Sequence, residues 1–340
     1  MINELKHYDK VHIEDVSLPK TANTFLKESD ERPVVNENPN TLFEHIGLEL
    51  KKLYLRINPP ESDPVNNETM GKTINTGINL IKEVFILKAL ELAGVKGVPR
   101  VIDSQSGYVD RGLLPGYTFA SAQLEKIEGK SLAESQLLDE ETVLKIGIDT
   151  AKILGNIYNR HILHNDVKPG NIMLTENKEV IVVDFNNAKI LDFENKTLTN
   201  VGTVTYSPPE KTALDGEDSQ GVRYSKVDVR SDIYSLAVTL AEKAGVYIYV
   251  LSDKSILDEK KYETFLYMLE QAIEEGNITQ KFAVFLQWNS HPQKQCRYPD
   301  YERFIEGLQI VGDPDKSSQD LLKHLETYTE PPVAKKDKSS

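Results

Sequence analysis

The chain has 340 residues, 39% of them apolar and 27% charged, which suffices for a sizeable core and, at about 150 residues per domain, for two domains or one bilobed unit with tails. Its formal net charge is −13 and no long Lys/Arg run interrupts it, which puts a phosphate-tracking binder with its basic face at a disadvantage, short of a local basic patch, and no nucleic-acid partner is expected. Cys296 is the single cysteine, which excludes an internal disulfide and a Cys-rich metal site. The longest uncharged apolar stretch, Ala244 to Ser252, is too short for a membrane span, and the opening MINELKHYDK lacks the apolar block of a signal peptide. A cytoplasmic protein is expected, with export by a route that cleaves no signal as the alternative.

In chain order, residues 1–46 read as an extension or as degenerate first strands, polar and turn-rich (DERPVVNENPN). Leu48 to Asn58 alternates in part and predicts a strand, stopped by Pro59-Pro60; residues 59–73 predict a loop. Apolar positions at Ile78, Ile81, Phe85 and Leu92 predict a helix from Asn75 to Leu92, closed by Gly94, Gly97 and Pro99. Val98–Ser104 and Tyr117–Ile127 predict two strands, Glu128-Gly129-Lys130 a turn, and Asp139–His161 a helix capped by its Asp. The expected organisation is an extension (1–46), a strand-rich unit (47–128), a helix-rich unit (129–312) and a tail (313–340), disordered at its end.

The informative block is HNDVKPGN, His164 to Asn171. It offers a carboxylate at Asp166, a cation at Lys168, a turn stiffened by Pro169 and a neutral oxygen ligand at Asn171. Thirteen residues beyond Asn171, after a Val180–Val183 run that predicts a buried strand, stands Asp184. A carboxylate base, a phosphate-facing cation and two hard oxygen ligands are the parts phosphoryl transfer needs, because there the protein mainly positions groups and neutralises charge around magnesium. MGKT at 70–73 is a weak P-loop signal, since Asn66 stands where that pattern needs glycine. His161 and His164 lack a nearby third metal ligand.

HNDVKPGN resembles the catalytic loop of eukaryotic-like (Hanks-type) serine/threonine protein kinases. VVDFN (182–186) resembles their Asp-Phe-Gly segment, GTVTYSPPE (202–210) the end of their activation segment, and RSDIYSLAVTL (230–240) the helix that follows, with its structural Asp at Asp232. QCRYPDYERFIEGL (295–308) resembles the late segment whose Arg, here Arg297, pairs with Glu210. The resemblance covers about residues 75–310 and implies an α+β, bilobed fold: a small antiparallel β lobe and a helical large lobe. It further implies ATP and Mg2+ as cofactors and a protein substrate with a Ser or Thr acceptor. Asp166 then accepts the hydroxyl proton, Lys168 touches the transferred phosphate, and Thr203 hydrogen-bonds Asp166. Asn171 and Asp184 hold magnesium, Glu83 is the acid of the small-lobe helix, and the hinge LEKI, Glu125 and Ile127 included, grips adenine through its backbone.

Four departures accompany the resemblance. No Gly-x-Gly-x-x-Gly occurs; LPKTANTFLK (18–27) is the segment available for that place. The strand-lysine slot aligns with Arg56, with Lys51, Lys52 and Lys72 as alternatives. Asn186 replaces glycine after Asp-Phe, a mild change because Asn tolerates left-handed backbone. Asn165 replaces the Arg that clamps a phosphorylated activation segment, which predicts activity independent of phosphate on Thr197, Thr199 or Thr205. Two other readings stand beside an active kinase. A pseudokinase acting as a nucleotide- or protein-binding module is suggested by the missing glycine loop. A small-molecule kinase of the aminoglycoside or choline kinase type is opposed by Lys168 and by the Thr-x-x-Tyr-x-x-Pro-Glu segment.

Overall fold

The computed structural model describes residues 13–14, 68–111, 114–191, 196–198, 204–211, 216–217, 223–252 and 258–330. The expected strand at 48–58, the 18–27 segment, Arg56, Lys51, Lys52, Thr199, Thr203 and the last ten residues lie outside these. The chain divides into two compact units, 1–94 with 99–126, and 95–98 with 127–340.

In the first unit, β1 (Ile13–Glu14), β2 (Val101–Arg111) and β3 (Leu114–Leu124) form one antiparallel sheet in that order, beside helix α1 (Glu68–Leu92). The helix starts seven residues before the expected Asn75, so residues 68–73 are helix rather than loop, and the MGKT segment carries no P-loop turn. Glu68, Met70 and Lys72 are good helix formers, and one interior Gly71 costs only about 1 kcal/mol. The two strands are longer and shifted: β2 starts after Pro99 and runs through Gln105-Ser106-Gly107, which pair with Ser121, Ala120 and Phe119. Their propensity for strand is weak; the ladder of backbone hydrogen bonds across the hairpin overrides it. Ile86, Leu87, Ala89 and Leu90 of α1 are buried.

The second unit is mainly helical, so the α+β arrangement is as expected. Helix α2 (Glu140–Tyr158) begins where Asp139 accepts the Thr142 N–H at 2.8 Å. It ends at Tyr158, three residues short of the expected His161, whose φ of 57° is incompatible with continued helix. Glu128-Gly129-Lys130 is not a free turn: Gly129–Ser131 is strand β4, paired with β6 (Ile172–Thr175), which pairs with β7 (Val180–Val182). Gly129 lies so close to β6 that a Cβ would sit 2.1 Å from the Leu174 carbonyl oxygen, so only glycine permits this pairing. A second short pair joins β5 (Ile162–Leu163) to β8 (Lys189–Ile190), and these ladders carry both loops of the site described below.

Three further short strands follow: β9 (Lys196–Leu198), β10 (Gly216–Glu217) and β11 (Arg223–Lys226), with β11 between the other two. Helix α3 (Val229–Lys243) is buried at thirteen of its fifteen positions. It is therefore a central strut rather than an amphipathic surface helix. Of the helices that follow, α4 (Asp258–Glu274), α5 (Gln280–Asn289), α6 (Tyr301–Gly312) and α7 (Ser318–Tyr328), α5 and α6 pack against it and α4 and α7 pack against them; their Phe265, Phe282, Phe285, Phe304, Leu308 and Leu325 are fully buried. No helix of the described residues is long and apolar enough to cross a membrane.

Candidate active site

Two loops of the second unit meet here. The first leaves β5, carries Asp166 and Lys168, and enters β6 through the 3-10 turn Pro169–Asn171. The second leaves β7 and carries Asp184 to Asn187 into β8. Their roots are joined by the Val183 N–H donating to the Asn171 carbonyl at 2.9 Å and by the His164 Nε2 bond to the Val183 carbonyl at 3.1 Å. Asn165 and Asp184 both adopt left-handed backbone, φ 65° and 66°, which Asn and Asp tolerate better than other side chains.

Asp166 is buried, and its carboxylate is held from three sides. Lys168 Nζ donates to Oδ2 at 2.8 Å, Asn187 Nδ2 at 3.2 Å and Asn171 Nδ2 at 3.3 Å; Asn171 Nδ2 also reaches the Asp166 carbonyl at 2.8 Å. Because the Asn171 side-chain nitrogen faces Asp166, the atom it could offer a cation is its side-chain Oδ1. Asp184 Oδ1 accepts from the backbone and side-chain amides of Asn186 at 3.3 and 3.0 Å, while Oδ2 takes no hydrogen bond from the described residues. An amide oxygen and a carboxylate are hard oxygen donors, a chemistry that suits Mg2+ rather than a softer metal.

Beneath the loops lies a buried layer that sets the backbone. Asp232, on α3, accepts the His164 N–H at 2.9 Å and the Asn165 N–H at 2.9 Å. Burial pushes the Asp232 carboxyl up, against the pull of Lys211 and His164. Burial likewise pushes the His164 imidazole down, against the pull of Asp232. A neutral ring suits the geometry: Nδ1 accepts the Asp166 N–H at 3.3 Å while Nε2 faces a carbonyl. Both ring nitrogens are engaged, so His164 is a scaffold for the loop. Phe185 packs edge-on against that ring, centroids 5.0 Å apart.

The expected Arg297–Glu210 pair is present and bidentate, Nη1 to Oε1 at 2.7 Å and Nη2 to Oε2 at 3.0 Å, with Arg297 fully buried. It anchors the end of the 204–211 segment, whose two 3-10 turns are Val204–Tyr206 and Pro209–Lys211. Ser231, in α3, adds a hydroxyl bond to Glu210 at 2.9 Å.

The structure thus brings Asp166, Lys168, Asn171 and Asp184 together within the second unit. Thr203 and Arg56 lie outside the described residues. Glu83 is buried on α1, and Lys72 lies on the same helix. Glu125 belongs to the first unit, where its N–H donates to the Arg100 carbonyl at 2.8 Å and its side chain pairs with the exposed Arg100 guanidinium at 3.2 Å. Ile127 opens the longer stretch of the second unit. Two contributors escaped the sequence reading. Asn187 contacts Asp166, and its carbonyl accepts from Asn165 Nδ2 at 3.2 Å; the only signal was a second Asn after Asp-Phe. Lys211 donates to the Asn165 carbonyl at 2.6 Å, and nothing in the linear sequence marks it.

Comparison with known proteins agrees with this geometry. A probable serine/threonine-protein kinase of Clostridium perfringens is 30% identical over 203 residues, covering 58% of this chain and 27% of that protein. The probable serine/threonine-protein kinase nek2 of Dictyostelium discoideum is 32% identical over 169 residues, 48% of this chain and 37% of its own. The serine/threonine-protein kinase PknA of Corynebacterium glutamicum is 35% identical over 129 residues, 36% of this chain and 25% of its own. The chain thus spans about a quarter to somewhat over a third of the length of these curated relatives. The model of the protein kinase domain matches residues 67–325, more than half of the chain, and with the catalytic-type loops in place the chain belongs to the protein kinase domain family.

Proposed function

We propose that the chain transfers the γ-phosphoryl group of ATP to Ser or Thr hydroxyls of a protein substrate, with Mg2+ as cofactor. The observation that carries this reading is the convergence of Asp166, Lys168 and Asn171 with Asp184 on adjacent loops. Asp166 orients the acceptor hydroxyl and takes its proton. Lys168, 2.8 Å from that carboxylate, neutralises charge on the transferred group. Asn171 and Asp184 hold magnesium, which when bound neutralises phosphate charge and fixes the leaving group. Thr203 steadies Asp166, Glu83 pairs with the small-lobe cation at Arg56, Lys51 or Lys52 (Lys72, about three turns away on Glu83's own helix, is out of reach), and the backbone of Glu125 to Ile127 receives adenine. The cytoplasm is the proposed site of action, in keeping with a single, free cysteine.

Activity is further proposed to be independent of activation-segment phosphorylation. The support is Asn165, whose backbone N–H, carbonyl and side-chain N–H2 are bonded to Asp232, Lys211 and Asn187 without a phosphate. Phosphate on Thr197, Thr199 or Thr205 is expected to leave the rate nearly unchanged; a tenfold activation would refute it.

The test is transfer of labelled phosphate from Mg-ATP to a generic basic protein, beside Asp166→Ala. Loss of about 10² or more in rate in the variant is expected for removal of a positioned base, with label on Ser or Thr. Nucleotide binding without transfer by the wild type would replace the reading with that of a pseudokinase.

A further inference from the structure

We infer that Lys211 is a positioning residue for Asp166: a buried ammonium that ties the end of the activation segment to the catalytic loop. The inference rests on the kinase reading above and adds to it the part that makes phosphate unnecessary.

The geometry is specific. Lys211 is 4% exposed and stands directly after Glu210, whose carboxylate Arg297 clamps, so its backbone is anchored. From there Nζ reaches the Asn165 carbonyl oxygen at 2.6 Å, across 46 residues of sequence. That oxygen belongs to the peptide unit whose nitrogen is the Asp166 amide, and that N–H donates to His164 Nδ1 at 3.3 Å. One peptide plane is therefore gripped at both edges, its oxygen by Lys211 and its N–H by His164. Rotating that plane swings the Asp166 side chain, and Asn165, at φ 65°, depends on such grips to stay in place.

An ammonium this deep is retained against the cost of its desolvation. Burial pushes its pKa down, and attraction to Asp232, Asp166 and Glu210 opposes that. A residue needed only to fill space would be apolar here. In the family's arrangement an Arg beside the catalytic Asp reaches out to a phosphate on the segment. In this chain Asn165 occupies that place, and the cation comes instead from the segment, reaching in.

The experiment uses the full chain and measures kcat, KM for ATP, nucleotide-binding stoichiometry and thermal midpoint for wild type, Lys211→Met and Lys211→Gln. Methionine removes charge and donor at similar volume; glutamine is one bond shorter, so its amide falls short of the Asn165 carbonyl. Both are expected to lose at least tenfold in kcat with KM for ATP within twofold and full nucleotide stoichiometry. In an Asp166→Asn background, where the positioned group is already gone, Lys211→Met is expected to change the residual rate less than twofold. Should Lys211→Met fail to fold, Lys211→Gln carries the same comparison. A folded variant of either kind with kcat within twofold of wild type overturns the inference while leaving the kinase reading intact. An equal loss in the Asp166→Asn background also overturns it, since that is the behaviour of a purely structural residue. Absence of transfer by the wild type overturns both readings.

Discussion

Replacing Arg297 by Met tests the buried anchor under the active-site segment. All of the guanidinium's donor directions are used: Nε to the His291 carbonyl at 2.7 Å, Nη1 to Glu210 at 2.7 Å and the Arg230 carbonyl at 3.1 Å, Nη2 to Glu210 at 3.0 Å and the Pro292 carbonyl at 3.0 Å. Its face also covers the Tyr234 ring at 4.7 Å. The variant leaves the Glu210 carboxylate, only 14% exposed, with the Ser231 hydroxyl as its remaining side-chain partner among the described residues. Breaking one side of a buried pair costs about 3–5 kcal/mol, so a loss of about 4 kcal/mol is expected. That is a large share of the roughly 5–15 kcal/mol available to a folded protein. For a unit of this size it lowers the thermal midpoint by about 8–16 °C. The assay is urea unfolding of wild type, Arg297→Met, Glu210→Gln and the double variant. In the Glu210→Gln background the same change is expected to cost about 2 kcal/mol, because no charge is then stranded. A loss under about 1 kcal/mol, or equal losses in the two backgrounds, would refute the claim that a stranded carboxylate dominates the effect.

Three other outcomes follow from the geometry. Asn187→Ala removes one donor to Asp166 and, at about 0.5–1.5 kcal/mol for a hydrogen bond, should lower kcat about 2–13-fold with KM for ATP unchanged; an altered KM would place Asn187 elsewhere in the reaction. Burial holds the His164 imidazole below its ordinary value in the folded chain, so as pH falls through 6.5 the unfolded chain takes up the proton first. His164 therefore stabilises the fold above that pH, and its contribution is lost toward acid. Relative to His164→Gln, wild type should lose stability below pH 6.5 with a slope of up to about 1.4 kcal/mol per pH unit, and parallel profiles would contradict this. Gly129→Ala forces a Cβ against the Leu174 carbonyl and should destabilise by about 2 kcal/mol, with faster amide exchange in β4 and β6; a change within about 0.5 kcal/mol would mean the strands separate freely.

Short-range signals explain which features were legible beforehand. The Asp139 cap, the Val180–Val182 strand and the tight turn at Pro169 each depend on residues a few positions apart, and each stands where the pattern put it. The chemistry of HNDVKPGN followed from residue types at fixed spacing, and the pairing of Arg297 with Glu210 from the family resemblance. The early start of α1, the length of the β2–β3 hairpin and the strand role of Gly129 were not visible, because pairing and packing outweighed weak local preference there. Asn187 and Lys211 were hidden for a further reason. What they hold is a carboxylate 21 residues away and a main-chain carbonyl 46 residues away, and a carbonyl is common to every residue type. Local order chose the reactive groups. Only folding, by carrying a buried cation to the Asn165 carbonyl and a distant amide to the Asp166 carboxylate, decided how those groups are held.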